Sequence, residues 1–163
     1  MKRLEGKIAL VTSGTRGIGL QTVKTLAANG ATVYIGARRL DAAQEICEEL
    51  EVDNYKAKPV YFDATKEETY KTMVEEVIKY AGRIDILVNN HAVQFVQNSI
   101  LDITSEQLDL TFRTNVYPFF YMTKAALKYL KRGAAIINTT SITAYQGEPL
   151  LIDYSATKGA ILT

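Results

Sequence analysis

Residues 7–30 restrict the fold more than any other stretch of the chain. A β-branched run, KIALVT (7–12), stops at SGTRGIG and passes into a segment with Ile18, Val23, Leu26 and Ala27 at helical spacing, which Gly30 ends. A strand feeding a helix through a glycine-rich turn is half of a β-α-β unit, and the chain repeats that alternation. ATVYIGA (31–37) reads as the second strand, 40–50 as the second helix and KPVYFD (58–63) as the third strand. A third helix over 67–81 leads through Gly82 into IDILVNN (84–90), apolar on both faces and therefore central. Thr104 and Gln107 have capping-box spacing and open a long helix to about residue 130, with GAAIINTTS (133–141) as the fifth strand. From about Asp153 the sequence reads as the first turns of another helix. The expected architecture is α/β, a doubly wound parallel sheet in one domain over residues 1–163.

Composition narrows the function classes. Nineteen basic residues against eighteen acidic leave a formal charge of +1, too little field to recruit nucleic acid or an anionic membrane. No stretch approaches the length that spans a bilayer, and the N-terminal apolar run is too short for a signal sequence, so the expected compartment is the cytoplasm. The single cysteine, Cys47, falls where a helix wants an apolar residue and is read as core. No residues are assigned to a metal.

The glycine-rich turn carries the first functional signal. Ser13, Gly14, Thr15, Arg16, Gly17, Ile18 and Gly19 lie at the first β-α junction, where backbone N–H groups and a positive helix end suit a pyrophosphate. Tight β-α turns also use glycine for steric reasons alone, so the turn by itself is weak evidence. At the end of the second strand, a carboxylate would accept from the ribose hydroxyls of NAD. GARR stands there instead. Arg38 and Arg39, with Arg16 adding charge from the loop, are suited to a 2′-phosphate, which points to NADP(H); the alternative is a solvated surface pair.

TSGTRGIG, NNHA after the fourth strand, Asn115, Ser141 and YSATK (154–158) together resemble the short-chain dehydrogenases/reductases, and the resemblance covers essentially the whole chain. It implies a Rossmann-type fold, a nicotinamide cofactor and interconversion of a secondary alcohol and a carbonyl. It also implies that Asp63 contacts the adenine, that Asn89 lines the cofactor cleft, and that Tyr154 and Lys158 border the cofactor, Lys158 on the ribose hydroxyls. Two positions depart from the family pattern. Ser13 stands where glycine is usual, and NNHA replaces NNAG, which brings His91 near the expected nicotinamide ribose as either a contact residue or a tolerated substitution. The first half is similar to bacterial bile-acid 7α-hydroxysteroid dehydrogenases, while the stretch from about Val93 is more similar to stress-associated bacterial reductases. Either a mosaic with a seam near NNH or a natural intermediate would carry both traits.

The chemistry asks for four residues, Asn115, Ser141, Tyr154 and Lys158. A free phenol is a weak acid-base catalyst at neutral pH. Lys158 at i+4 from Tyr154 shares its helical face, and its ammonium attracts a tyrosinate by about 4 kcal/mol at a separation of about 4 Å and an effective dielectric near 20. Ser141, just past a strand end, would donate to the substrate oxygen as charge develops there. Asn115 sits in a helix interior three residues before Pro118, which should break the helix locally. In the family this region holds a proton-relaying water.

Against the family, the fold is expected to stop after the fifth strand and the start of the next helix. The rest of that helix, further strands and the segments over the nicotinamide and substrate would lie beyond residue 163. A helix so short has little reason to persist alone, and the fifth strand should form an exposed edge. Two functions remain open: the N-terminal part of an NADP(H)-dependent oxidoreductase acting on a small alcohol or carbonyl, a hydroxysteroid among the candidates, and homo-oligomeric when complete; or a catalytically inactive nucleotide-binding or interaction module.

Overall fold

The computed structural model describes residues 2–163. Five parallel strands, β1 (Ile8–Thr12), β2 (Thr32–Ala37), β3 (Lys56–Tyr61), β4 (Ile84–Asn89) and β5 (Leu130–Asn138), form one sheet in the order β3-β2-β1-β4-β5. The connecting helices are α1 (Gly17–Ala28), α2 (Leu40–Val52), α3 (Glu68–Ala81), α4 (Ser105–Asn115) and α5 (Tyr117–Leu127), followed by a short α6 (Thr143–Gln146) and α7 (Ile152–Leu162). Every strand and most boundaries match the periodicity, and the doubly wound Rossmann-type order is the one expected.

Alternation along the central strands explains the two layers. Ala9 and Val11 of β1 face a cluster completed by Val23 and Ala27 of α1 and Cys47 and Leu50 of α2. Leu10 faces the other side, packing with Met73 and Val77 of α3, Leu87 of β4, and Met122 and Ala126 of α5. β4 is buried along its whole length, as its run of apolar residues requires. Cys47 is buried in the first cluster, and burial together with Glu48 pushes its thiol up to about 11, an inert core side chain.

Two elements differ from the expectation, and the break anticipated near Pro118 is present. The helix from Thr104 is divided at Val116 (φ −112°), and Pro118 falls in the first turn of α5, where its missing N–H costs no bond. β5 starts at Leu130, earlier than residue 133, because the β4–β5 register shifts between Ile84 and Ile86 and Gly133 turns there with φ +91°. It is an edge strand with Ile136 and Ile137 exposed, as anticipated. The other difference is α7, helical to Leu162 although its buried residues, Asp153, Thr157 and Lys158, are all polar; side-chain hydrogen bonds from α4 hold it. No helix among the described residues is long and apolar enough to cross a membrane.

Because the sheet winds outward from β1 in both directions, the β1–β4 boundary is the switch point, and its carboxyl end opens a crevice. Leu87 sits at the middle of that boundary, fully buried. Leu87→Ala is expected to destabilise the fold by about 2–5 kcal/mol. Urea unfolding should show a lower midpoint with an unchanged slope.

Candidate active site

At the switch point the chain leaves β1 with almost no spare room. Gly19, in the first turn of α1, lies so close to the loop that a Cβ there would overlap the Ser13 carbonyl oxygen and stand 2.6 Å from Asn90 Nδ2. A Cβ on Gly14 would meet Ile35 and Val23 methyls at 2.9 Å. Both glycines therefore permit the close helix–strand approach that the motif predicts. Ser13 adopts φ 52°, the left-handed conformation in which glycine is free, and a serine there costs about 1 kcal/mol. The turn survives the departure from glycine. Arg16 is the residue before α1, extended and exposed, with no side-chain cap on the helix, so no capping side chain takes up the first-turn N–H groups at the positive helix end. Thr15 is half-buried and Gly17 and Ile18 are exposed on the same turn.

The ends of β1 and β4 are tied by one hydroxyl. Thr12 Oγ1 accepts from Asn90 N–H at 2.8 Å, lies 3.3 Å from Val88 O and pairs with His91 Nδ1 at 3.0 Å. His91 does not line an open cleft. Its ring is buried between Phe62 (5.5 Å) and Phe119 (4.9 Å), with Nε2 unpaired. Burial, reinforced by the Lys158 charge, pushes its imidazole down to about 3, so it is neutral at working pH. Asn89 is buried and turns sideways, donating to Asn138 Oδ1 at 2.9 Å across the β4–β5 pair. Asn90 instead faces the glycine loop, 3.5 Å from Ser13 O, and accepts from Thr139 Oγ1. Sequence reasoning selected the first asparagine of NNH and passed over the second; the only signal was the doubled residue itself.

On α7, Lys158 is almost wholly buried. Its Nζ donates to Thr139 O at 2.8 Å and lies 5.6 Å from the ring centroids of both Tyr154 and Phe119. Burial pushes the ammonium down to about 8. The i+4 spacing does put Tyr154 and Lys158 side by side, Tyr154 half-buried toward solvent. Ser141 lies beyond β5, half-buried, its Oγ accepting from Thr143 N at 3.2 Å. Asn115, at the end of α4, brackets the backbone of Val93, accepting from its N–H and donating to its O at 2.8 Å, and donates to Thr157 Oγ1 on α7. Its side chain is fully engaged in joining three segments. Thr157 and Asp153, both buried on α7, were not singled out from sequence because small polar residues in a helix carry no periodic signal.

At the β2 end, Arg39 is already held: its guanidinium donates to both carboxylate oxygens of Asp41, at 3.3 and 2.9 Å. Arg38 is exposed. Asp63 follows β3, half-buried; burial alone would raise its carboxyl, but hydrogen bonds from Thr65 and the charges of Arg38 and Lys66 hold it below the usual range. Arg38 and Asp63 thus belong to one neighbourhood beside the loop. The clefts lined by Gln21, Lys24 and Asp53, and by Tyr34, Lys58 and Tyr80, lie away from this crevice.

The order of strands, the glycine turn and the switch-point crevice together define a doubly wound architecture of the dinucleotide-binding type. A family model for short chain dehydrogenases matches residues 7–163, and the chain belongs to that family. General stress protein 39 of Bacillus subtilis is 48% identical over 98% of this chain and 56% of its own length. A 7alpha-hydroxysteroid dehydrogenase of Clostridium sardiniense is 42% identical over 99% of this chain and 63% of its own. Each match spans both halves of the chain. The crystal structure of a short chain dehydrogenase from Burkholderia cenocepacia in complex with NADP superposes with a TM-score of 0.92 at 33% identity, covering 98% of this chain and 66% of that one. The chain spans just over half to about two thirds of the length of these proteins.

The buried imidazole gives a pH signature. Unfolded, His91 takes a proton below about pH 6.5; folded, it refuses one down to about pH 3. Stability from this group is complete above pH 6.5 and falls as pH drops, by about 1.4 kcal/mol per unit through the middle of that window. In His91→Asn, the slope of unfolding free energy between pH 6 and 4 should be shallower by up to one proton, measured by urea titrations.

Proposed function

We propose that this chain is the NADP(H)-binding and proton-transferring part of an oxidoreductase that interconverts a secondary alcohol and a ketone. The observation that carries the reading is the Lys158 ammonium, buried against the Tyr154 ring with burial alone shifting it and no carboxylate offsetting that shift. A charge kept in that setting is costly for a purely structural lysine and useful beside a phenol that must give up a proton.

The residues present fit a dinucleotide. The uncapped N-terminus of α1 and the two glycines of close approach leave backbone donors free for a pyrophosphate, with Ser13, Thr15, Arg16 and Ile18 lining the turn. Arg38, and Arg39 if released from Asp41, would hold a 2′-phosphate; Asp63 and Asn90 border the crevice, while Asn89 supports it from beneath through Asn138. Bound NADPH supplies a hydride to the carbonyl carbon. The Tyr154 hydroxyl gives the oxygen its proton, Ser141 donates a hydrogen bond to that oxygen, and Lys158 steadies the tyrosinate left behind. Asn115 holds Thr157, and through it α7, against the segment after β4. A hydroxysteroid is the substrate to try first, because the Clostridium sardiniense relative is named for one. A homo-oligomer is the proposed assembly, supported by exposed Leu108, Leu110, Tyr117 and Phe120 on α4 and α5.

The decisive experiment follows NADPH binding and oxidation by the 163-residue chain, with a ketone panel that includes bile acids. Binding with turnover upholds the reading; binding without turnover favours an inactive nucleotide-binding module. Tyr154→Phe should lower kcat at least a thousandfold while NADPH still binds, and near-normal turnover would refute the acid-base assignment. Arg38→Ala is expected to weaken NADPH about tenfold and leave NADH unchanged; equal losses for both cofactors would remove the 2′-phosphate role. Lys158 is charged below about pH 8 and neutral above it. Its burial therefore opposes folding below pH 8, a penalty that fades as pH rises toward the ordinary lysine range, where the unfolded state also loses the proton. Ketone reduction should accordingly fall above about pH 8, read from the pH profile of kcat.

A further inference from the structure

Gln107, Thr111 and Asn115 recur every four residues along one face of α4, and all three reach α7. Gln107 Nε2 and Thr111 Oγ1 both donate to Asp153 Oδ2, at 3.0 and 2.8 Å, and Asn115 Nδ2 donates to Thr157 Oγ1 at 3.1 Å. Asp153 and Thr157 are themselves four apart, so the contact is a ladder of polar rungs between two helices. Asp153 is 2% exposed and meets no cation in these bonds; donors alone satisfy it. Gln107 was expected to close a capping box on Thr104. The Thr104 hydroxyl does accept from Gln107 N–H, but the Gln107 side chain is diverted to Asp153 and to Gln97, whose Nε2 donates to Gln107 Oε1 at 2.6 Å.

The ladder ends on the backbone of the tyrosine. Tyr154 N–H donates to Asp153 Oδ1 at 2.8 Å, and Thr157 Oγ1 donates to Tyr154 O at 2.7 Å. One rung of slip along α4 is four residues, about 6 Å, and would leave the carboxylate without its donors. Apolar packing alone would not penalise such a slip so sharply.

We propose that Asp153 is a positioning residue that sets the register of α7 on α4 and thereby places Tyr154 and Lys158. The proposal rests on the reading of those two side chains as the proton-transfer pair. It acts through the helix and makes no contact with substrate.

The test compares Asp153→Ala, Asp153→Asn and the reversed pair Gln107→Glu/Asp153→Asn in the full chain, the pair restoring one carboxylate and one amide with their places exchanged. Three quantities are followed: NADPH affinity by fluorescence, kcat and KM for the best ketone, and amide exchange of α7 against β4. Asp153→Ala should lower kcat ten- to a hundredfold with KM and NADPH affinity within about threefold of wild type, and speed exchange at residues 154–158 at least tenfold while β4 amides hold. The reversed pair should recover kcat and α7 protection to within about threefold, and Asp153→Asn alone should not. The proposal is overturned if Asp153→Ala keeps kcat within twofold, if kcat, cofactor affinity and β4 protection all fall together, or if the reversed pair is no better than Asp153→Asn. Should the wild-type chain bind NADPH without turnover, the dehydrogenase reading fails first, and exchange alone judges the ladder: unchanged α7 protection in Asp153→Ala overturns it, and loss restored by the reversed pair upholds it.

Discussion

A parallel sheet covered on both faces leaves polar groups only one economical place, the strand ends, and the Thr12 hydroxyl is where two of those ends are joined. It serves Asn90 N–H, Val88 O and His91 Nδ1 within one bonding sphere, and so fixes β4 against β1 at the point from which the sheet winds in both directions. From there the hydrogen bonds run outward. Asn90 connects to the glycine loop and to Thr139, and Thr139 presents its carbonyl to Lys158. The glycine loop, the fourth and fifth strands and the last helix are thereby held to one another through a few small polar side chains at the carboxyl edge.

The buried charges in this region are treated in different ways. Lys158 donates to one carbonyl and lies over two aromatic rings, which favour its charge, yet burial outweighs them and weakens its grip on the proton. His91 is packed between two phenylalanines and stays neutral down to about pH 3. Asp153 receives only neutral donors. No ion pair joins these groups in their hydrogen bonds, but the Lys158 charge reaches His91 and adds to the burial that keeps the imidazole neutral.

What could be read from the sequence was whatever local rules encode. The five strands follow from runs of Val, Ile, Leu and Ala; the α4–α5 break follows from Pro118; and the proximity of Tyr154 and Lys158 follows from a helical repeat. The early start of β5 was hidden because Gly133 looks like a strand boundary and is instead an irregularity inside the strand. The inward turn of His91 was hidden because its partners, Phe62, Phe119 and Thr12, come from three distant segments. The α4–α7 bonds escaped for the same reason, and the capping-box spacing at Thr104 and Gln107 offered a local explanation for a glutamine whose side chain is used elsewhere. Helicity of α7 was underestimated because propensity and length say nothing of tertiary hydrogen bonds.

The pairing of Arg39 with Asp41 changes how the β2 end handles anions. Asp41 is a tethered competitor, present beside the guanidinium at the high effective concentration that a two-residue separation imposes. Any anion that recruits Arg39 has to displace a carboxylate already bound there through two hydrogen bonds. A singly charged group would exchange like for like and gain little, whereas a dianionic phosphate offers more charge and a third oxygen. Both partners are exposed to solvent, so the competition Asp41 offers is weak and fades further as salt screens it.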